Sequence, residues 1–224
     1  MKLFGYSDPS RTEGEPLELG FKHLFKTLWA CVFPLMRLNL CFLLFCLPVI
    51  TIPAAVTALH AGCVDLIRGE RVEVLSLFLK TVRKQFFTSW AVLLFLLVPC
   101  VLAIFNAWFY FSRASEQLLL FVPGIAMSAI AVILLLMLPY ALTMLARVNL
   151  NIRKTIKNAF LLTFLNLPFS VCSSLLILLI LVLSILYWLY ALPLVATILF
   201  ALCGYIGVYF SLYGLQKFVL TEEL

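Results

Sequence analysis

The sequence predicts an all-α fold: a polytopic transmembrane helical bundle of about six spans, with interfacial amphipathic helices on the cytoplasmic side. Two observations predict it. Of the 224 residues, 65% are hydrophobic and only 12% are charged, with a mean hydropathy of +1.15, far from the values of soluble proteins. Uncharged runs cover residues 38–64, 85–112, 117–146 and 158–216. A helix crosses the hydrocarbon core with roughly 20 residues, so the last run can hold two crossings.

The chain divides into a flexible N-terminal tail at 1–16, a single transmembrane domain at 17–216 and a C-terminal tail at 217–224. Apolar residues at helical spacing over 17–29 predict an interfacial helix, and Pro34 is expected to kink the chain after it. Six spans are then expected, near residues 30–47, 54–67, 87–110, 118–146, 167–189 and 193–214.

Two of these spans have features that affect the predicted topology. The span at 54–67 is short for a full crossing, and a tilted or re-entrant helix is the alternative. A separate amphipathic helix is expected in the loop before the span at 87–110, since apolar residues recur at helical spacing there too. A tight turn is expected at 190–193, before the last span.

Basic residues are concentrated in two loops. Residues 68–84 hold five Lys or Arg and residues 147–157 hold four, whereas 112–117 holds one and 190–193 none. The positive-inside rule therefore places both basic loops and both termini in the cytoplasm, with the chain in the cell membrane. The same distribution argues against nucleic acid as a partner, despite the net charge of +6. The basic loop residues are Arg68, Arg71, Lys80, Arg83, Lys84, Arg147, Arg153, Lys154 and Lys157.

Three short segments resemble one another: Phe-Lys-Thr-Leu at 25–28, Leu-Lys-Thr-Val at 79–82 and Arg-Lys-Thr-Ile at 153–156. Each lies in an amphipathic stretch before a predicted span. One interpretation is that basic interfacial helices simply look alike. The other is that the chain contains three repeats of an interfacial helix followed by a hairpin, as some transporters do.

The first two predicted spans form a hairpin with two candidate features. Pro48 and Pro53 remove two backbone donors and are expected to shape its turn; with the Thr51 hydroxyl, the freed carbonyl groups could also line a small polar site. If the hairpin turns about Thr51, Arg37 and Asp65 lie at the same depth, where an ion pair would offset part of their desolvation. The alternative is that both lie at the cytoplasmic interface and reach water separately.

The remaining candidate residues are uncharged, and we interpret them first as structural. Asn39 is expected to make an interhelical hydrogen bond rather than to bind a ligand. The lone His60 is expected to be packed or hydrogen-bonded rather than to relay protons. Ala201, Gly204 and Gly207 form a small-residue face, expected to pack closely within the chain or between subunits.

No sequence feature predicts an enzyme. The chain has no Walker loop, nucleophile elbow or His-Glu-x-x-His motif, and its seven cysteines form no Cys-x-x-Cys pair. We therefore expect no catalytic residue, no metal site and no cofactor.

The hairpin and the loop after it resemble a known family. The resemblance lies in Asn39, Leu47-Pro48-Val49-Ile50-Thr51-Ile52-Pro53-Ala54-Ala55, Ala58-Leu59, Arg68-Gly69-Glu70, and the stretch 78–86 that ends in Lys84-Gln85-Phe86. These residues resemble the YesL-like bacterial integral membrane proteins, which carry a domain of unknown function. That family often has glycine before the second proline, where this chain has Ile52.

The resemblance implies a context rather than a mechanism. Members of the family are often encoded beside carbohydrate ABC importers and sugar-responsive regulators. This implies an accessory or interaction subunit associated with carbohydrate ABC import, with the lipid bilayer and importer subunits as partners. An independent small-solute transporter or channel is the alternative, and a homo-oligomer is compatible with either.

Overall fold

A computed structural model describes residues 21–70, 72–113, 118–147 and 151–218. In these ranges the chain is helical apart from short turns and has no strand, which confirms the predicted all-α fold class. The predicted tails at 1–16 and 217–224 lie outside the described residues, except for positions 217 and 218.

The helices are α1 (Phe21–Ala30), α2 (Val32–Cys46), α3 (Ile52–Ile67), α4 (Val74–Arg113), α5 (Phe121–Arg147), α6 (Ile152–Leu165), α7 (Leu167–Leu186), α8 (Trp188–Leu194) and α9 (Phe200–Phe218). Short 3₁₀ turns precede α3 and α5, and a π-helical segment, Val195–Leu199, joins α8 to α9. Five helical segments of the described chain are long and apolar enough to cross a membrane, or six if α1 and α2 form one bent span. About six spans were expected.

The bend of 70° between α1 and α2 lies at Cys31, just before Pro34. A proline ring clashes with the carbonyl group four residues earlier, here that of Ala30, and cannot donate a hydrogen bond to it. Regular bonding resumes at Leu35, whose N–H donates to the Cys31 carbonyl at 2.8 Å. Pro34 therefore accounts for the kink.

The amphipathic helix predicted before the third span is not separate, because it is the first part of α4. This helix runs unbroken for 40 residues, or about 60 Å, about twice the thickness of the hydrocarbon core. No proline or glycine precedes Pro99 within it, so nothing in the backbone breaks the helix where basic residues give way to apolar ones.

The tight turn predicted at 190–193 is also wrong. Residues 190–193 lie inside α8, and the preceding break is at Tyr187, where α7 ends. Tyr187 adopts φ −109° and ψ 41°, outside the helical region, while its N–H still donates to the Leu183 carbonyl.

The described helices form three consecutive units with the same element order. Each unit has an amphipathic helix and two long arms: unit 1 is 21–67, unit 2 is 74–147 and unit 3 is 152–218. Alignment of the Lys-Thr pairs at 26–27, 80–81 and 154–155 superimposes three exposed lysines and three buried threonines. The agreement continues into the first arms, where the aligned positions 35, 89 and 163, then 38, 92 and 166, then 42, 96 and 170 are all buried. It extends well beyond the interfacial helices, so the structure favours the repeat interpretation.

The three units are arranged as a ring. Their second arms, α3, α5 and α9, each pack against the other two at the centre of the bundle. Each second arm also packs on the following unit: α3 on α4, α5 on α6, and α9 with its preceding segment on α2. The third unit therefore closes onto the first.

Candidate functional site

Buried polar side chains join each unit to the next, beginning with units 1 and 2. The hydroxyl groups of Thr57 on α3 and Ser89 on α4 share a hydrogen bond of 3.0 Å, and both side chains are fully buried. The Trp90 indole N–H donates to the Ile50 carbonyl in the hairpin turn at 2.8 Å. These two bonds attach the first hairpin to α4.

Equivalent bonds join units 2 and 3, and units 3 and 1. Tyr140 on α5 shares a hydrogen bond of 2.8 Å with Ser170 on α7 and accepts one of 3.0 Å from the Asn166 amide at the start of α7. Tyr205 on α9 donates to the Thr27 hydroxyl on α1 at 2.7 Å. In each case a second arm bonds to the amphipathic helix or the first arm of the next unit, so hydrogen bonds follow the ring.

Asn39 bridges units 1 and 3 through the backbone. Its Nδ2 donates to the carbonyl groups of Val195 and Ala196 at 2.9 and 3.0 Å, and its Oδ1 accepts from the N–H of Ala201 at 3.1 Å. These partners flank or lie in the π-helical segment, where the hydrogen-bonding register of the helix changes. The fully buried Asn39 amide thus satisfies backbone groups at that change.

The hairpin turn is held by its own side chains. Pro48 has an extended conformation, with φ −78° and ψ 105°. The Thr51 hydroxyl contacts the carbonyl oxygens of Phe45 and Pro48, the latter at 2.7 Å. Pro53 lies in the first turn of α3, where its missing N–H would have no helical partner. The arrangement uses the polar groups of the turn to fix its shape.

Arg37 and Asp65 lie at similar depths on α2 and α3. A Cβ added at Gly62 would be 2.4 Å from Leu38 Cδ2, and the Cys31 thiol is 3.9 Å from the Leu66 carbonyl. This antiparallel register places the two charged residues within about one helical turn of each other along the hairpin. Arg37 is exposed and Asp65 is half-buried. The ion pair stays a prediction.

A double-mutant cycle tests that pair. We expect Arg37→Ala and Asp65→Ala each to lower the melting temperature, and the double variant to lose less than the sum of the two. The physical reason is that removal of one charge leaves the other desolvated without its partner. A coupling energy of about 0.5 kcal/mol or more would support the pair; additive losses in thermal unfolding would contradict it.

An open pocket of about 210 Å³ is lined by residues of α3, α5 and α9, with Phe42 of α2 and Ile177 of α7. His60 lines it and is buried, with Nδ1 2.9 Å from the Val56 carbonyl of its own helix. Cys203 also lines the pocket, and the other lining side chains are apolar. Among the described residues, no three His, Cys, Asp or Glu side chains come together as metal ligands.

The small-residue face of α9 packs inside the chain. A Cβ added at Gly204 would lie 3.4 Å from Leu59 of α3, and one at Gly207 would lie 3.5 Å from Pro139 of α5. Ala201 is fully buried. The face thus allows α9 to approach α3 and α5 at the centre of the ring.

The basic loop residues lie mostly on exposed helical surfaces. Lys80, Arg83 and Lys84 line a shallow concavity with Ser76 and Leu79 on the first part of α4. Among the other basic loop residues, the side chains of Arg68, Arg153, Lys154 and Lys157 are also exposed. Arg147 is the last residue of α5, and Arg71 lies outside the described residues. The cytoplasmic location of both loops stays a prediction.

Sequence reasoning singled out Asn39 but not the polar residues that join the units. Ser89, Asn166 and Ser170 occupy repeat positions that are buried in all three units. A polar residue at such a position, inside an otherwise apolar run, could have identified these buried contacts from the sequence. Tyr140 and Tyr205 carry no comparable signal, because tyrosine is common in membrane helices for other reasons.

The comparisons with known proteins identify a similarity but no activity. Residues 35–107 match the model of a family described as "Protein of unknown function, DUF624". The match begins in α2, includes the first hairpin and ends within α4. No curated protein and no solved structure matches the chain. The chain is therefore an integral membrane protein of undetermined activity, similar from α2 to α4 to a family of unknown function.

Proposed function

We propose that the protein is an accessory subunit that binds a second membrane complex, and that this complex is a carbohydrate ABC importer. The observation that supports the proposal is that polar side chains in the interior form hydrogen bonds between the units. Asn39, Tyr140, Asn166 and Ser170 hold the units together through hydrogen bonds of 2.8 to 3.0 Å. A bundle fixed in this way is suited to present a rigid surface to a partner.

The outer face of α7 is our candidate for that surface. α7 is the least covered candidate span of the described chain, with 11% of its most apolar window buried. Leu175, Leu178 and Ile185 all point away from the bundle. Helices associate in membranes through close packing rather than through a hydrophobic driving force, so a partner helix would have to fit this face in shape.

The carbohydrate context comes from the resemblance to the YesL-like proteins, which are often encoded beside sugar importers. The matched family model agrees with that resemblance at the level of a domain of unknown function. The residues that carry the resemblance lie in the first hairpin and the basic start of α4. We therefore include the exposed Lys80, Arg83 and Lys84 surface in the proposed contact.

Co-purification in mild detergent tests the proposal. The tagged chain, expressed with the subunits of a carbohydrate ABC importer from the same organism, is expected to recover them in a stoichiometric complex. Leu178→Trp should reduce the recovery at least tenfold, because the larger ring separates the packed helices. Val101→Trp, on the exposed face of α4, is the matched control and should leave recovery unchanged. Recovery of the wild-type chain without any importer subunit would contradict the proposal.

A transporter is the second candidate, favoured by the three units and by the pocket that His60 lines. The walls of this pocket supply few polar groups. A sugar that entered the pocket would therefore lose its hydrogen bonds to water without gaining others from the protein. Uptake of a labelled sugar into proteoliposomes containing only this chain would favour the transporter over the accessory subunit.

A further inference from the structure

A long apolar groove lies between α4, α5 and α6, with a volume of about 780 Å³. Phe95 of α4 and Ile133 of α5 belong to two of its walls, and Ile156 belongs to the third. The α4 and α5 walls carry only apolar side chains. Both charged residues of the groove, Arg153 and Lys157, come from α6.

We propose that this groove binds an anionic phospholipid. One acyl chain would lie along α5, and the headgroup phosphate would contact Arg153 and Lys157. The α5 wall extends from Ile130 to Met137, a rise of about 10 Å, enough for a large part of one acyl chain.

Charge distinguishes this site from an ordinary lipid-facing surface. The apolar walls give no preference among lipids, since acyl chains are as apolar as leucine side chains. The headgroup therefore decides which lipid is retained. Arg153 and Lys157 are four residues apart, so they lie on one face of α6 and can reach one phosphate. Basic pockets between transmembrane helices recognise anionic headgroups in this manner.

The start of α6 adds to the positive potential. Arg153 is the second residue of the helix, and the first turn contains no acidic residue. Asn151 precedes the helix and does not cap it through its side chain. The positive end of the helix dipole and the two basic side chains act in the same place.

The repeats offer an internal comparison. The residues of unit 1 aligned with Arg153 and Lys157 are Phe25 and Trp29, both exposed. The corresponding surface of unit 1 thus lacks the two positive charges. In unit 2 the aligned residues are Leu79 and Arg83, so one base is present there and only unit 3 has a base at both positions.

Native mass spectrometry of the full chain tests the proposal. The protein is reconstituted into nanodiscs of equal phosphatidylglycerol and phosphatidylcholine, released, and examined for retained lipid. The wild-type chain is expected to retain phosphatidylglycerol preferentially. Arg153→Gln with Lys157→Gln should reduce that preference by about 25-fold, at about fivefold for each base. Both side chains are exposed, so the variant should fold.

The matched control is Lys26→Gln with Lys154→Gln, which removes the same charge from exposed positions outside the groove. It should keep the wild-type preference. A third variant, Ile133→Trp, fills the apolar wall while both bases remain, and it should also reduce retained phosphatidylglycerol. Equal retention by the wild type and the Arg153/Lys157 variant would overturn the proposal, as would an equal loss in the matched control.

Discussion

Replacement of Asn39 with leucine is expected to lower the free energy of unfolding by about 2–4 kcal/mol. The change removes three hydrogen bonds to Val195, Ala196 and Ala201. It leaves two carbonyl groups and one N–H without their partner in an apolar interior. Single interhelical hydrogen bonds in membranes contribute about 0.6 kcal/mol, but unpaired buried groups cost more.

Unfolding of the purified chain in mixed micelles of increasing SDS content, followed by tryptophan fluorescence, measures this loss. The matched control is Asn106→Leu. The Asn106 side chain donates to the Leu102 carbonyl of its own helix at 2.8 Å, so its removal breaks no contact between helices. We expect a change below about 0.5 kcal/mol for the control. Similar losses in the two variants would show that Asn39 does not support the contact of α2 with α9.

The same substitution at two glycines is expected to have opposite effects. Gly62→Ala should destabilise the chain by about 1–3 kcal/mol, because the new methyl group would overlap the buried Leu38 side chain. Gly207→Ala should stabilise it by about 0.5–1 kcal/mol, because alanine favours the helix. Its methyl group would meet Pro139 at an ordinary contact distance of 3.5 Å.

Thermal unfolding of both variants beside the wild type checks the signs. A rescue strengthens the test at Gly62: Leu38→Ala should cost less stability in the Gly62→Ala background than in the wild type, since it removes the overlapping atoms. If both alanine variants shift the melting temperature in the same direction, the close approach of α2 to α3 at Gly62 is wrong.

The all-α class and the presence of several apolar helices long enough to cross a membrane were predictable, and several helix boundaries were not. A lipid environment requires about 20 uncharged residues for each crossing, so the uncharged runs locate the spans. The start of α4 was predicted wrongly as a separate helix. The residues change there from basic to apolar, but this change alters only the surroundings of the side chains, so the backbone stays helical. The break at Tyr187 has no proline or glycine beside it, so no local residue marks it.

The candidate contacts were predictable only in part. Asn39 is conspicuous in the sequence as an amide in an uncharged run. Its partners, however, are backbone groups around a π-helical segment, and the pattern of side chains does not predict such a segment. The buried Ser170 follows from the repeat, whereas its contact with Tyr140 depends on how α5 packs on α7. For Arg37 and Asp65, the equal spacing from Thr51 predicts that the two residues lie at similar depths. It does not predict which way each helix turns its side chains.

The contact of Asn39 with Val195 also affects the order of events during synthesis. The two residues are 156 positions apart, so a ribosome adding about 5–20 residues per second reaches the second roughly 8–30 s after the first. Throughout that interval the amide of a newly inserted first hairpin faces lipid or a temporary partner. A chain that terminates before Val195 would lack all three backbone partners of this amide.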